Sequence, residues 1–177
     1  MPRTSKAPLR PTSIAVLAAV TLAALLALGG NCQQQQNQKG WTDTPKGFVE
    51  VAASPFAYKA VSPDGSSIAV RHRPNQEKGD LAFWSEVFER QFVEVNGYRL
   101  IEKEELVSED GVPGQLMTFE YAPDELPYHY SIAIFVSELS LVSLETATEL
   151  SKLTRYDEAF SAARKSLRVK SAEKASR

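Results

Sequence analysis

The chain is poor in the residues that build metal sites and covalent frameworks. Among 177 residues it has one cysteine, Cys32, and two histidines, His72 and His129. A single thiol closes no internal disulfide and supports no multi-cysteine metal centre. An excess of positive charge is also missing. The formal net charge is -2. Arg3, Lys6 and Arg10 precede Cys32 and no acidic residue does, so the remainder holds 17 basic against 22 acidic residues, a net -5. Such a body lacks the basic balance that nucleic-acid binding draws on, and no nucleic-acid partner is expected. Gly-rich phosphate loops, a G-x-S-x-G elbow and a nucleophile with an evident base are absent as well.

The few residues with chemical potential have plain readings. His129 stands between Tyr128 and Tyr130 on one strand candidate, and His72 lies on another. Neither has further ligands at metal-site spacing, so both read as surface or edge-strand histidines. The acidic runs "EKEELVSED" and "PDELP" lack the alternating carboxylates and the glycine of a calcium loop, and read as solvated faces and loops. No catalytic, cofactor-binding or metal-ligating residue is assigned, and no cofactor is expected.

Long apolar runs are lacking too, with one exception. "IAVLAAVTLAALLAL", Ile14 to Leu28, follows a basic, polar start. Its length is that of a signal-peptide core, shorter than the roughly 20 apolar residues of a spanning helix. Gly29 and Gly30 break the run just before Cys32. Residues 1–31 therefore read as a signal peptide. An uncleaved membrane anchor, lengthened through the two glycines, is the alternative.

The stretch before Cys32 resembles a bacterial lipobox, in which a leucine and two small residues precede a cysteine. Leu28, Gly30 and Cys32 carry the resemblance, while Gly29 and Asn31 depart from it. The resemblance implies that the Cys32 thiol is diacylated and that Cys32 becomes the mature N-terminus, held to the membrane by its lipid. A chance cysteine near an ordinary cleavage site is the other reading. Residues 32–40 then form a tether. "QQQQNQKG" is polar and aperiodic, so it cannot bury a core. Its length corresponds to about 15 Å of flexible reach.

Residues 41–170 read as one globular domain. "FAYKAVS" and "SSIAVRHR" alternate around the turn "SPDGS". "DLAFWSEVFERQFVEVNG" switches to helical period, with Asp80 as N-cap, "NG" as stop, and Leu81, Trp84, Phe88, Gln91 or Phe92, and Val95 on one face. This aromatic-rich face is expected to pack on a sheet. Four strand candidates follow: "YRLIEKEELVSE", "GQLMTFEYA", "YHYSIAIFVSE" and "LSLVSLETA". Their short joins favour antiparallel meander pairing. In "SIAIFVS" both faces are apolar, which predicts a central strand covered on both sides. "TRYDEAFSAARKSLRVK" reads as a closing helix with Thr154 as N-cap and Tyr156, Phe160 and Ala163 buried. Residues 171–177 read as a flexible tail. The fold class is therefore α+β: a single antiparallel sheet of about six strands covered by helices.

The element order, with "VSEDGVPGQLMTFEY", "YHYSIAIFVSELSLVSLETA" and "RYDEAFSAARKSLRV", resembles the PsbP-like fold, shared with Mog-type proteins and small bacterial lipoproteins. Gly111, Pro113, Gly114, Phe160, Ser166, Leu167, Arg168 and Val169 occupy its recurring positions. The resemblance implies an α/β/α sandwich and a protein-binding or accessory role without a shared catalytic set. The expectation is a non-catalytic lipoprotein of the bacterial cell envelope, facing periplasm or exterior, with a membrane contact through its lipid and an unidentified protein partner. A small-ligand carrier, or an enzyme with a site assembled in space, is the alternative.

Overall fold

The computed structural model describes residues 40–122 and 125–170. The leader, Cys32, the tether before Gly40 and the tail from Ser171 lie outside the described residues. The elements run β1 (Val49–Glu50), β2 (Tyr58–Val61), β3 (Ser67–Pro74), α1 (Leu81–Arg90) with a π-helical extension (Gln91–Val95), β4 (Arg99–Val107), β5 (Pro113–Tyr121), β6 (Tyr128–Val136), β7 (Ser140–Glu149), a 3₁₀ turn (Leu150–Lys152) and α2 (Leu153–Lys165).

The strands form one antiparallel sheet of seven, in the order β1-β2-β3-β7-β6-β5-β4. The β2–β3 hairpin comes first. The segment containing α1 then carries the chain to the far edge, and the meander from β4 returns until β7 pairs with β3. The expected order of strands, helix, four strands and helix is observed. The seventh strand, β1, is a two-residue ladder that pairs Val49 with Val61. Two residues are too short to display a period of two in sequence.

Each face of the sheet carries its own core, because successive residues of a strand point to opposite sides. Phe135, Ala133, Val142, Leu144, Ile68 and Val70 pack with Tyr156, Phe160 and Ala163 of α2. Ile132, Ile134, Met117, Phe119 and Leu141 pack with Leu81, Trp84, Phe88 and Phe92. Ile132, Ala133, Ile134 and Phe135 are each at most 1% exposed, as expected of a strand covered on both sides.

Helix α1 starts as the sequence predicts: the Asp80 side chain accepts the Phe83 amide at 2.8 Å. Its end departs from a regular 3.6 period. The Asn96 amide donates to the Gln91 carbonyl at 3.1 Å, five residues back. This wider turn adds a residue to the cycle. Phe92 stays against the sheet, whereas Val95, expected on the same stripe, is 71% exposed. Leu139, expected on a strand face, lies in the β6–β7 turn and is also exposed. Phe56 precedes β2 and is outside it. Thr154 does not cap α2. The preceding 3₁₀ turn runs straight into the helix, so the N-cap is Lys152 and it makes no side-chain cap.

The two halves of the recurring pattern meet in space. The Glu109 amide donates to the Leu167 carbonyl at 2.8 Å. The Val169 amide donates to Asp110 Oδ1 at 3.0 Å. Gly111 turns this loop with φ +77°, a conformation that side chains resist. Gly114 begins the close approach of β5 to β6: a Cβ there would sit 2.6 Å from the Ile134 carbonyl oxygen. Leu167 and Val169 fill the α2-side core beyond the helix end. Arg168 between them donates to the Gly40 carbonyl at 3.0 Å and ties the start of the domain to its end.

Candidate functional site

Cys32 lies outside the described residues. The two histidines are not brought together. Both point to the α2 side of the sheet, but their β7 partners are Val142 and Thr148. Six residues of strand separate those partners, about 20 Å. His72 packs against Trp41 with ring centroids 5.1 Å apart and planes tilted by 43°, and borders an open recess beside Ala52–Ala57. His129 is half-buried, and burial, then the nearby Arg164 charge, lowers its pKa. No group of three or more histidine, cysteine or carboxylate side chains is positioned for a metal among the described residues.

A recess of about 670 Å³ lies between the start of α1 and the β6–β7 turn. Asn75 lines it together with Lys78, Asp80, Ser137 and Glu138, and the Asn75 amide is spent inside the fold. Its Nδ2 donates to Gly79 O and Ser137 O, both at 2.9 Å. Its Oδ1 accepts from Trp84 Nε1 at 3.0 Å and from the Gly79 amide at 3.2 Å. Asn75 therefore braces the entry to α1 and has no amide bond left for a ligand.

A different arrangement occupies the other end of the α1 side. Helix α1 and its π extension cover β5 and β6 only part of the way. Phe92 is the last ring beneath the helix, with centroids 5.0 Å from Phe119, 5.0 Å from Tyr130 and 5.3 Å from Tyr98. Beyond it the phenylalanines give way to tyrosines. Tyr98, Tyr121, Tyr128 and Tyr130 line a pocket of about 240 Å³ together with Ala147. Tyr98 and Tyr121 stack at 4.5 Å with planes 7° apart, and Tyr130 stands at 74° to Tyr98. Register places Tyr130 directly beside Ala147 and Tyr128 beside Glu149. Glu145 and Glu149, two residues to either side of Ala147, point to the same face.

The charges around this pocket are arranged in pairs. Arg71 Nε donates to Glu145 Oε1 at 2.8 Å, and the Arg71 guanidinium rests 4.1 Å from the Phe56 ring centroid. Lys152 Nζ donates to Glu149 Oε1 at 2.6 Å. Burial, then the Glu145 charge, pushes the Tyr130 hydroxyl far above its ordinary pKa. Burial likewise raises that of Tyr98, helped by Tyr121 and Glu145. Both phenols are neutral at ordinary pH. The "YHY" run and the tyrosines after "NG" and "FE" are visible in sequence. Their convergence is not, because it needs the register of three strands and the π extension.

Among the described residues, the long free edge of the sheet is β4. Its Ile101 and Val107 are exposed, as are Val93 and Val95 on the π extension that packs beside it. Ile101 is the extra residue of a bulge between Leu100 and Glu102. The opposite edge is the two-residue β1.

No family model matches the sequence, and no curated protein matches it at the sequence level. Solved structures do match the fold. The solution structure of cyanobacterial PsbP (CyanoP) from Synechocystis sp. PCC 6803 aligns at TM-score 0.52 and 15% identity, over 71% of this chain and 83% of that one. LpqN of Mycobacterium tuberculosis, described as involved in cell envelope biogenesis, aligns at TM-score 0.54 and 11% identity, over 70% and 78%. PA94 from Pseudomonas aeruginosa, a protein of unknown function, aligns at TM-score 0.50 and 13% identity, over 74% and 87%. At these identities the likeness is one of fold: the domain has the PsbP-like α/β/α sandwich.

Proposed function

We propose that the protein is a non-catalytic lipoprotein of the bacterial cell envelope whose domain docks a partner protein along β4. The single observation that carries the docking is the edge itself: nine residues of extended chain with no strand beyond it among the described residues. Such an edge is a template for an added strand, with side-chain contacts giving selectivity. Its chemistry favours a basic, extended segment. Glu102, Glu104 and Glu105 are exposed along it, and the one lysine among them, Lys103, is paired with Glu89 at 2.8 Å. A second copy fits poorly. Antiparallel self-pairing centred on Lys103 sets Lys103 against Lys103 and Glu102 against Glu104, and like charges opposite one another destabilise a ladder. The fold shared with LpqN, a protein of envelope biogenesis, and the lipobox-like leader support the location. The test is a photocrosslinking residue placed at Ile101 or Val107 in native membranes, with Glu158 on the exposed side of α2 as the control. The expected result is one discrete adduct from the β4 positions that is lost on Glu102→Lys/Glu104→Lys. Equal labelling from Glu158, or an adduct indifferent to charge reversal, overturns the assignment.

A further inference from the structure

We propose that the tyrosine-walled pocket on the α1 side binds a small organic cation carrying a methylated ammonium group. The inference is independent of the lipid anchor and of the β4 edge. It rests first on the walls. Four tyrosine rings from the π-extension loop, β5 and β6 surround one small residue, Ala147 on β7. The stacked Tyr98–Tyr121 pair and the near-perpendicular Tyr130 form a corner of aromatic surface. Ring faces carry negative electrostatic potential and attract cations, most of all methylated ammonium groups.

Size and charge narrow the class. A cavity of about 240 Å³ is below the roughly 300–1,000 Å³ of drug-sized sites, so it suits a compact headgroup. The carboxylates of Glu145 and Glu149 flank Ala147 on the same face. Neither these carboxylates nor their partners line the pocket: Glu145 is paired with Arg71 at 2.8 Å and Glu149 with Lys152 at 2.6 Å, so the ring faces themselves supply the attraction. A strongly hydrated ion such as a bare ammonium would exchange its water for rings that replace few of its hydrogen bonds. A methylated ammonium has few or no such bonds to lose and keeps the charge, which selects it over both the bare ion and an uncharged ligand.

The experiment uses the full chain in a non-ionic maltoside detergent and follows the methyl protons of added choline by nuclear magnetic resonance. The comparison ligand is the uncharged isostere in which a tert-butyl group replaces the trimethylammonium. The expected result is saturable choline binding with an upfield methyl shift from the ring faces, and at least about tenfold weaker binding of the isostere. Tyr128→Phe retains binding because the ring persists, and Tyr128→Ala weakens it by a similar factor. Equal binding of choline and isostere overturns the proposal. So does the absence of a methyl shift at saturating ligand, or an unchanged affinity in a folded Tyr128→Ala protein. If that variant fails to fold, the choline–isostere comparison on the unaltered chain decides. Glycerophosphocholine identifies the source: binding at the strength of choline points to a lipid headgroup, and binding of choline alone points to a free amine.

Discussion

The Tyr156 hydroxyl on α2 donates to Asp64 Oδ1 in the β2–β3 turn at 2.7 Å, across 92 residues of sequence. Ser62 donates to the same oxygen at 2.6 Å, and Arg155 reaches Oδ2 at 3.3 Å. One turn carboxylate therefore shapes its own hairpin and fastens the closing helix over it.

That convergence predicts an acid-sensitive contact. The hydroxyls of Ser62 and Tyr156 stabilise the charged carboxylate and lower its pKa from 3.8 to about 2. A carboxylate depressed in the folded state contributes stability that is complete above the unfolded pKa and disappears as pH falls through the folded one. The contribution of Asp64 is thus present above about 4 and lost between there and about 2. Denaturation of wild type and Asp64→Asn across this range should show a gap that closes as the pH drops. A gap constant with pH would show that the carboxylate charge plays no part.

The Arg168 bracket predicts an ordering of variants. The guanidinium side chain is 5% exposed and sits 2.5 Å from Asp43 Oδ1 and 2.7 Å from Glu109 Oε2. Its partners are far more exposed. Removing Arg168 leaves carboxylates that water can solvate, at a cost of about 1–3 kcal/mol in lost charged hydrogen bonds. Removing both carboxylates leaves a buried cation uncompensated, which costs more, about 3–5 kcal/mol. Urea unfolding should therefore rank Asp43→Ala/Glu109→Ala below Arg168→Ala. The reverse ranking would mean that the arginine acts through packing alone.

Core substitutions on the α1 side of the sheet grade with burial. Ile134 is fully buried, and Ile134→Ala is expected to cost about 2–5 kcal/mol. Phe88 packs on the same cluster but remains partly exposed, so Phe88→Ala costs less. A single unfolding transition should persist in both. A change below about half a kcal/mol at Ile134 contradicts the central position of β6.

Lipidation of Cys32 is checked by acyl-probe labelling and intact mass. The expected mature chain begins at a diacylated Cys32. Each buried methylene contributes about 0.8 kcal/mol, so two chains hold the protein at a membrane. Cys32→Ser should lose the label and accumulate as a larger precursor or as a soluble envelope form. An unmodified Cys32 on a chain that retains its leader makes residues 1–31 a membrane anchor.

Local periodicity determined much of the domain. The alternation in β2, β3 and β6, the Asp80 cap and the buried stripe of α2 are short-range patterns, and tertiary structure left them intact. The departures have physical reasons of longer range. Val95 leaves its stripe because a π turn, closed by the Asn96 amide, is chosen by the packing of Phe92 and Tyr98 on the sheet. Thr154 loses its cap because the chain after β7 is already turning when it arrives. The candidate pocket was legible only as scattered tyrosines. Each strand announces which residues share a face, but not which strand lies beside it or in what register. Glu149 meets Tyr128, and Ala147 meets Tyr130 and Ser67, only once β7 has been inserted between β3 and β6. The sequence by itself determined the faces; the order of the strands, a balance among distant contacts, decided what those faces enclose.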